Sequence, residues 1–100
     1  MYLLNGKLTA KPGHRDELAD ILLEASKLVS NAHGCKVYVI GRNDSDQESV
    51  YVTEIWESKE DHDNSLKLES VGNLIKKAMP LIEGQPQKGQ ELEILGGAGI

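Results

Sequence analysis

Val50-Tyr51-Val52-Thr53-Glu54-Ile55-Trp56 runs without a break into Glu57-Ser58-Lys59-Glu60-Asp61-His62. The first part, rich in β-branched and aromatic side chains, reads as a strand. Ser58 then offers a helix N-cap, with Asp61 three residues on in the place of the capping-box Glu. Immediately upstream, Cys35-Lys36-Val37-Tyr38-Val39-Ile40-Gly41 is a second strand, separated from the first by the polar run Asn43-Asp44-Ser45-Asp46-Gln47-Glu48. Two strands joined by a short polar loop make an antiparallel hairpin.

Outward from this hairpin the pattern changes period. Leu18, Ile21, Leu22, Ala25, Leu28, Val29 and Ala32 recur at i, i+3, i+4 and i+7, which predicts a helix with one apolar stripe. Asp16 and Glu17 suit its positive end, and Gly34 suits its C-terminal cap. Residues 2–10 form the first strand, with Leu4, Leu8 and Ala10 on one face, and Pro12-Gly13 ends it. Beyond His62, helical spacing continues in Val71, Leu74, Ile75, Ala78 and Ile82, with a break near Glu69-Ser70, where Ser70 can cap a second piece. Pro80 marks a kink or stop, residues 83–90 a Gly/Pro/Gln loop, and residues 91–95 a short last strand. The order β-α-β-β-α-β is the ferredoxin-like arrangement: an α+β domain whose four-stranded antiparallel sheet carries both helices on one face. Residues 1–95 make this domain, and the Gly-rich residues 96–100 are expected to be a flexible tail.

An antiparallel sheet with helices on one side and water on the other should alternate apolar and polar residues. Here both faces of the strand at residues 50–56 are bulky, and Val37 and Val39 lie opposite Tyr38 and Ile40. A second chain covering the free face, sheet against sheet, accounts for that pattern, so a homodimer is expected. The size agrees: a chain of 100 residues hides only about 60–65% of its unfolded surface, and a partner supplements a modest core.

Composition narrows the function. With 39% apolar and 27% charged residues, and 11 basic against 16 acidic side chains for a net charge of −5, the chain is an ordinary acidic domain. Nucleic acid and anionic membranes demand a basic patch, so neither is an expected partner. The lone Cys35 builds no internal disulfide framework, no run approaches a membrane span, and no signal-peptide core opens the chain; a cytoplasmic location is expected. The three histidines, His14, His33 and His62, show no metal-ligand spacing. No Gly-x-Gly-x-x-Gly loop offers a nucleotide cofactor a home, and no Gly-x-Ser-x-Gly elbow supports a serine nucleophile.

What remains is the junction itself. Glu54 and Trp56 share a strand face, because side chains repeat every two residues. If that face looks toward the helices, Glu54, Trp56 and His62 line one pocket. Each also has a plainer reading. The only Trp can be core filling, His62 can be a solvated helix residue beside Asp61, Asp63 and Asn64, and Glu54 can pair with Arg42 or a Lys. A carboxylate among apolar neighbours needs such a partner or a shifted pKa. Asn5, between Leu4 and Gly6, is expected to be a buried amide bonded to backbone or ligand. Cys35 and Met79 are expected to be packed in the core.

Ala10-Lys11-Pro12-Gly13-His14, Asn31-Ala32-His33-Gly34-Cys35, Glu54-Ile55-Trp56-Glu57-Ser58 and Leu81-Ile82-Glu83-Gly84, in that order, resemble the antibiotic-biosynthesis-monooxygenase domain, which includes quinol monooxygenases. The resemblance spans nearly the whole chain. It implies a homodimer with facing sheets, a dimeric α/β barrel. It also implies attack by O2 on electron-rich phenols, quinols or anthrones without metal or flavin, so no cofactor is expected. A deprotonated substrate of this kind can itself give an electron to O2, and the protein supplies a dry pocket, a base and shape. On this resemblance Trp56 is the aromatic wall and His62 the proton acceptor or orienting partner, with Asn5 and Glu54 as polar anchors for a small aromatic substrate. Many relatives carry a His nine residues after that Trp; Ser65 stands there, and His62 lies one turn earlier. Haem-degrading enzymes resemble the chain at Ile55-Trp56-Glu57-Ser58, but they use a second Trp and a later His where this chain has Ser65 and Ile75, leaving no good axial ligand. The expected function is cofactor-independent monooxygenation of a small aromatic quinol or polyphenol. The alternative is a non-catalytic small-molecule-binding or stress-associated module of the same fold.

Overall fold

Alternating burial along Tyr2–Thr9 makes β1, the strand on which both sheet halves are built. In the computed structural model, which describes residues 1–84 and 89–100, the chain continues through α1 (Arg15–Val29), β2 (Cys35–Asn43), β3 (Asp46–Trp56), α2 (Lys59–Ser65) and α3 (Glu69–Ala78). A 3₁₀ turn (Met79–Leu81) and β4 (Gln90–Glu93) follow. The strands pair antiparallel in the order β2-β3-β1-β4. This is the expected α+β ferredoxin-like fold, with its second helical layer split in two. Of the expected loop at residues 83–90, residues 85–88 lie outside the described residues.

The local differences have local causes. The first helix ends at Val29 rather than Ala32, because Asn31 and Ala32 donate to carbonyls only three residues back and tighten the last turn. Gly34 therefore serves the turn into β2: its φ is +83°, and a Cβ there would collide with the Asp61 side chain on α2. The hairpin turn shrinks to Asp44-Ser45, since the Asn43 side chain accepts from the Ser45 N–H and Asn43 still pairs with Asp46. Ser58 caps α2 as expected, accepting from the Asp61 N–H at 3.1 Å. Ser70 does not cap α3; Leu68 does, in extended backbone and without a side-chain bond. Met79, expected in the core, is 47% exposed on the 3₁₀ turn set by Pro80. The last strand is shorter and earlier than residues 91–95.

Register sorts the sheet into two faces. Val50, Val52, Glu54 and Trp56 of β3 are buried toward the helices, while Tyr51, Thr53 and Ile55 are half-buried on the other side. β2 has a bulge between Cys35 and Val37, so Cys35 pairs opposite Trp56 and Tyr38 opposite Glu54. Two buried clusters form under the helices: one around Leu18, Val50 and Ala78, the other around Tyr2, Val29, Trp56 and Val71. The outward face carries Leu3, Val37 and Ile55 in one row, with Leu92 beside Leu3 on β4.

Candidate functional site

Between the sheet and α2 lies a cavity of about 410 Å³, floored by Leu4, Val52 and Glu54 and flanked by Tyr2, Tyr38 and His62. The sheet supplies its floor because inward-facing residues recur every second position. The helix supplies His62 because Ser58 starts α2 just after Trp56 and Glu57, placing the imidazole one turn along, with the His62 backbone N–H bonded to the Ser58 carbonyl at 3.3 Å.

Glu54 and His62 meet there. His62 Nε2 lies 3.8 Å from Glu54 Oε1, too far for a hydrogen bond but within ion-pair reach. Both side chains are nearly buried, 12% and 11% exposed. The other ring nitrogen, Nδ1, sits 2.9 Å from Asp63 Oδ1. An ionised carboxylate only accepts, so Nδ1 carries the proton and Nε2 is left as the free basic atom. Burial raises the Glu54 carboxyl above its ordinary value, opposed by the hydrogen bond from Trp56 and by the charge of His62.

Trp56 is where the structure departs from the expected site. Its side chain is fully buried, it does not line the cavity, and its indole N–H donates to Glu54 Oε1 at 3.1 Å. The ring also meets His62 edge-on, centroids 5.8 Å apart. Trp56 thus positions both polar groups from behind instead of forming a wall. Asn5 departs further: it is exposed, on the sheet face opposite Leu4 and Gly6, and is not among the cavity residues, because odd positions of β1 point outward. Arg42 does not pair with Glu54; it lies 3.6 Å from Asp16.

The aromatic walls are Tyr2 and Tyr38, which sequence reasoning did not assign to the site. The signal for Tyr38 was its register opposite Glu54, visible only once the β2 bulge is known. The Tyr2 hydroxyl donates to Glu91 Oε1 at 2.9 Å, and its ring lies 5.6 Å from His62. Burial, followed by Glu91, pushes that hydroxyl up to about 12. Burial also raises Tyr38, so both remain neutral hydroxyls, and the Tyr38 hydroxyl makes no hydrogen bond among the described residues. Lys59, 3.6 Å from Glu91, sits at the cavity mouth. Gly89 of the mouth packs on the backbone of Asn5 and Gly6 so closely that a Cβ would clash with it. Cys35 is half-buried beside Trp56, its thiol raised by burial. Among the described residues, no group of three or more His, Cys, Asp or Glu side chains is placed to hold a metal ion, and no helix is long and apolar enough to cross a membrane.

This arrangement can take a proton from a bound hydroxyl at His62 Nε2 and hold the resulting imidazolium between two carboxylates. It can stack a small aromatic ring beside Tyr2 and Tyr38 in a largely apolar space.

Comparison with known proteins agrees with the fold. Residues 1–77 match the family model of antibiotic biosynthesis monooxygenases. The chain is similar to the crystal structure of a candidate antibiotic biosynthesis monooxygenase from Chloroflexus aurantiacus J-10-fl, with 39% identity and a TM-score of 0.87 over 99% of this chain and 97% of that one. It is also similar to one from Deinococcus radiodurans, with 22% identity and a TM-score of 0.83 over 100% and 98% of the two chains. A third, from Nitrosomonas europaea, has 12% identity and a TM-score of 0.86 over 94% and 89%. The last two speak to the fold alone. No curated protein matches the chain.

Proposed function

Because the chain belongs to the antibiotic biosynthesis monooxygenase family, we propose that it is a cofactor-independent monooxygenase that oxidises a small aromatic quinol or polyphenol with O2. The observation that carries this reading is the free Nε2 of His62 beside Glu54 on the wall of a 410 Å³ aromatic-lined cavity. Cavities of about 300–1,000 Å³ suit one small molecule.

His62 Nε2 accepts the proton of a substrate hydroxyl, and the imidazolium so formed lies between the Glu54 and Asp63 carboxylates. The substrate anion gives an electron to O2, and the two radicals combine at a ring carbon. Cleavage of the O–O bond leaves one oxygen on that carbon as a carbonyl. The other departs as water with two substrate hydrogens, so a quinol and O2 yield a hydroxyquinone and water. Tyr38, with its unengaged neutral hydroxyl, donates to the substrate oxygen as negative charge develops there. Trp56 acts at one remove, as a positioning residue for Glu54.

The test is oxygen uptake by the purified protein with reduced quinols, set against a boiled control. One O2 consumed per quinol with formation of hydroxyquinone is expected. Binding of quinols without any uptake would favour the second reading, a binding module of the same fold. One observation points that way: Ser65, at the position where many relatives carry a His, spends its hydroxyl on the His62 carbonyl at 2.6 Å.

The reading includes a homodimer joined through the outward sheet face, and no role for nucleic acid or membrane. The acidic composition and the unpaired Cys35 fit a cytoplasmic enzyme.

A further inference from the structure

Behind the reacting pair lies a second, smaller cavity of about 90 Å³, enclosed between the sheet, α1 and α3. Its wall is hydrocarbon, with Ala25 and Val29 from α1 and Val71, Leu74 and Ala78 from α3, except where Tyr38, Glu54 and His62 close it. Those three residues and Leu22 also line the 410 Å³ cavity, so the two spaces meet across the Glu54–His62 pair. On its outer side the small cavity reaches Leu66 and Ile75, which are 49% and 41% exposed where α2 gives way to α3.

Size and polarity select the occupant. Apolar cavities of about 150 Å³ stay dry and take up benzene or xenon. At 90 Å³ this one is too small for an aromatic ring, yet has room for a diatomic molecule. An ordered water needs two to four polar partners. Here the polar residues, Tyr38, Glu54 and His62, stand only on the side shared with the larger cavity, and the rest of the wall is aliphatic, so the space beyond them offers a water no partner.

We infer that the small cavity is a binding site for dioxygen, admitted under the α2–α3 link and delivered to the substrate across Glu54 and His62. The inference rests on the oxygenase reading and adds to it a place for the second substrate. A quinol seated in the larger cavity closes that entrance, and a separate apolar route lets O2 reach the bound anion without water beside it. No bond changes in the small cavity; it concentrates an apolar gas next to the ring that reduces it.

The test has a binding arm and a kinetic arm. In xenon-saturated solution, methyl NMR of the parent should show shifts at Ala25, Val71 and Ala78, and Ala78→Leu, which fills the space, should abolish them. The same substitution should raise the KM for O2 by about tenfold and leave the KM for quinol unchanged. If Ala78→Leu fails to fold, Ala25→Val makes a smaller addition to the same cavity and is read in the same way. Xenon shifts confined to Leu4 and Leu8 of the larger cavity, or a filled variant that keeps the parent's KM for O2, would overturn the dioxygen site and leave the oxygenase reading standing. A parent protein that consumes no O2 with any quinol would overturn both.

Discussion

Glu54 is the residue whose ionisation the fold resists. Its carboxyl is raised above its ordinary value of 4.5, with burial as the leading cause. A group whose folded pKa lies above its unfolded one contributes stability below the unfolded value, and that stability is lost as pH rises through the folded value. The parent's urea midpoint should therefore fall as pH is raised from 4.5 toward neutral. Glu54→Gln keeps an acceptor for the Trp56 indole and removes the ionisation, so its midpoint should vary less with pH and exceed the parent's at neutral pH. A variant with the parent's full pH dependence would mean another group is responsible. His62→Gln preserves much of the side-chain volume and removes the basic nitrogen. Oxygen uptake should fall by roughly 10²-fold, the usual contribution of a positioned base, with quinol binding retained. That Glu54 and His62 line one cavity was legible in the sequence, because strand alternation and one capped turn of helix are short-range rules, but the partner it offered Glu54 was Arg42 or a Lys. The role of Trp56 was not, since whether an indole walls a cavity or backs it depends on α2 and Tyr2 closing over it.

At the scale of elements, α2 has only seven residues, from Lys59 to Ser65, and a helix so short has little stability of its own. Its hold on the sheet starts at the Ser58 cap and at the Glu57 N–H, which donates to the Gly34 carbonyl at 2.8 Å. Ser58→Ala should destabilise the protein by about 1 kcal/mol, the common cost of an N-cap. Hydrogen exchange should locate the loss: amides of α2 should exchange faster while those of α1 keep their protection. Uniform acceleration across both helices would contradict this local account. The same scale explains which boundaries were readable. Apolar periodicity marks α1 and α3 plainly, but it cannot see the short-range bonds at Asn31 and Ala32 that end α1 early, nor the two-residue hairpin turn hidden inside a longer polar run.

For the whole molecule, the proposed homodimer turns on the outward sheet face. Leu3, Val37 and Ile55 align across three strands, and Val39 and Leu92 add exposed apolar surface at 54% and 48%. Burying such a row against its copy removes hydrocarbon from water on both chains at once. Light scattering at micromolar concentration should give twice the chain mass, and Ile55→Glu, which sets a charge in the centre of the row, should give the monomer. A parent that scatters as a monomer would sink the facing-sheet arrangement. The two-faced strands were readable from sequence as a reason for a partner.

The bulge in β2 has a consequence for how this chain can change by insertion and deletion. Along β1 and β3 the even-numbered residues face the helices and the odd-numbered the other side of the sheet, a parity that any single-residue slip inverts. β2 switches parity at Lys36, from Cys35 inward to Tyr38 inward. Deleting Lys36 would bring Cys35 and Tyr38 to a spacing of two, which puts both inward on a regular strand with no bulge. The bulge thus absorbs one surplus lysine and keeps both ends of the strand in step with the chemistry on the next.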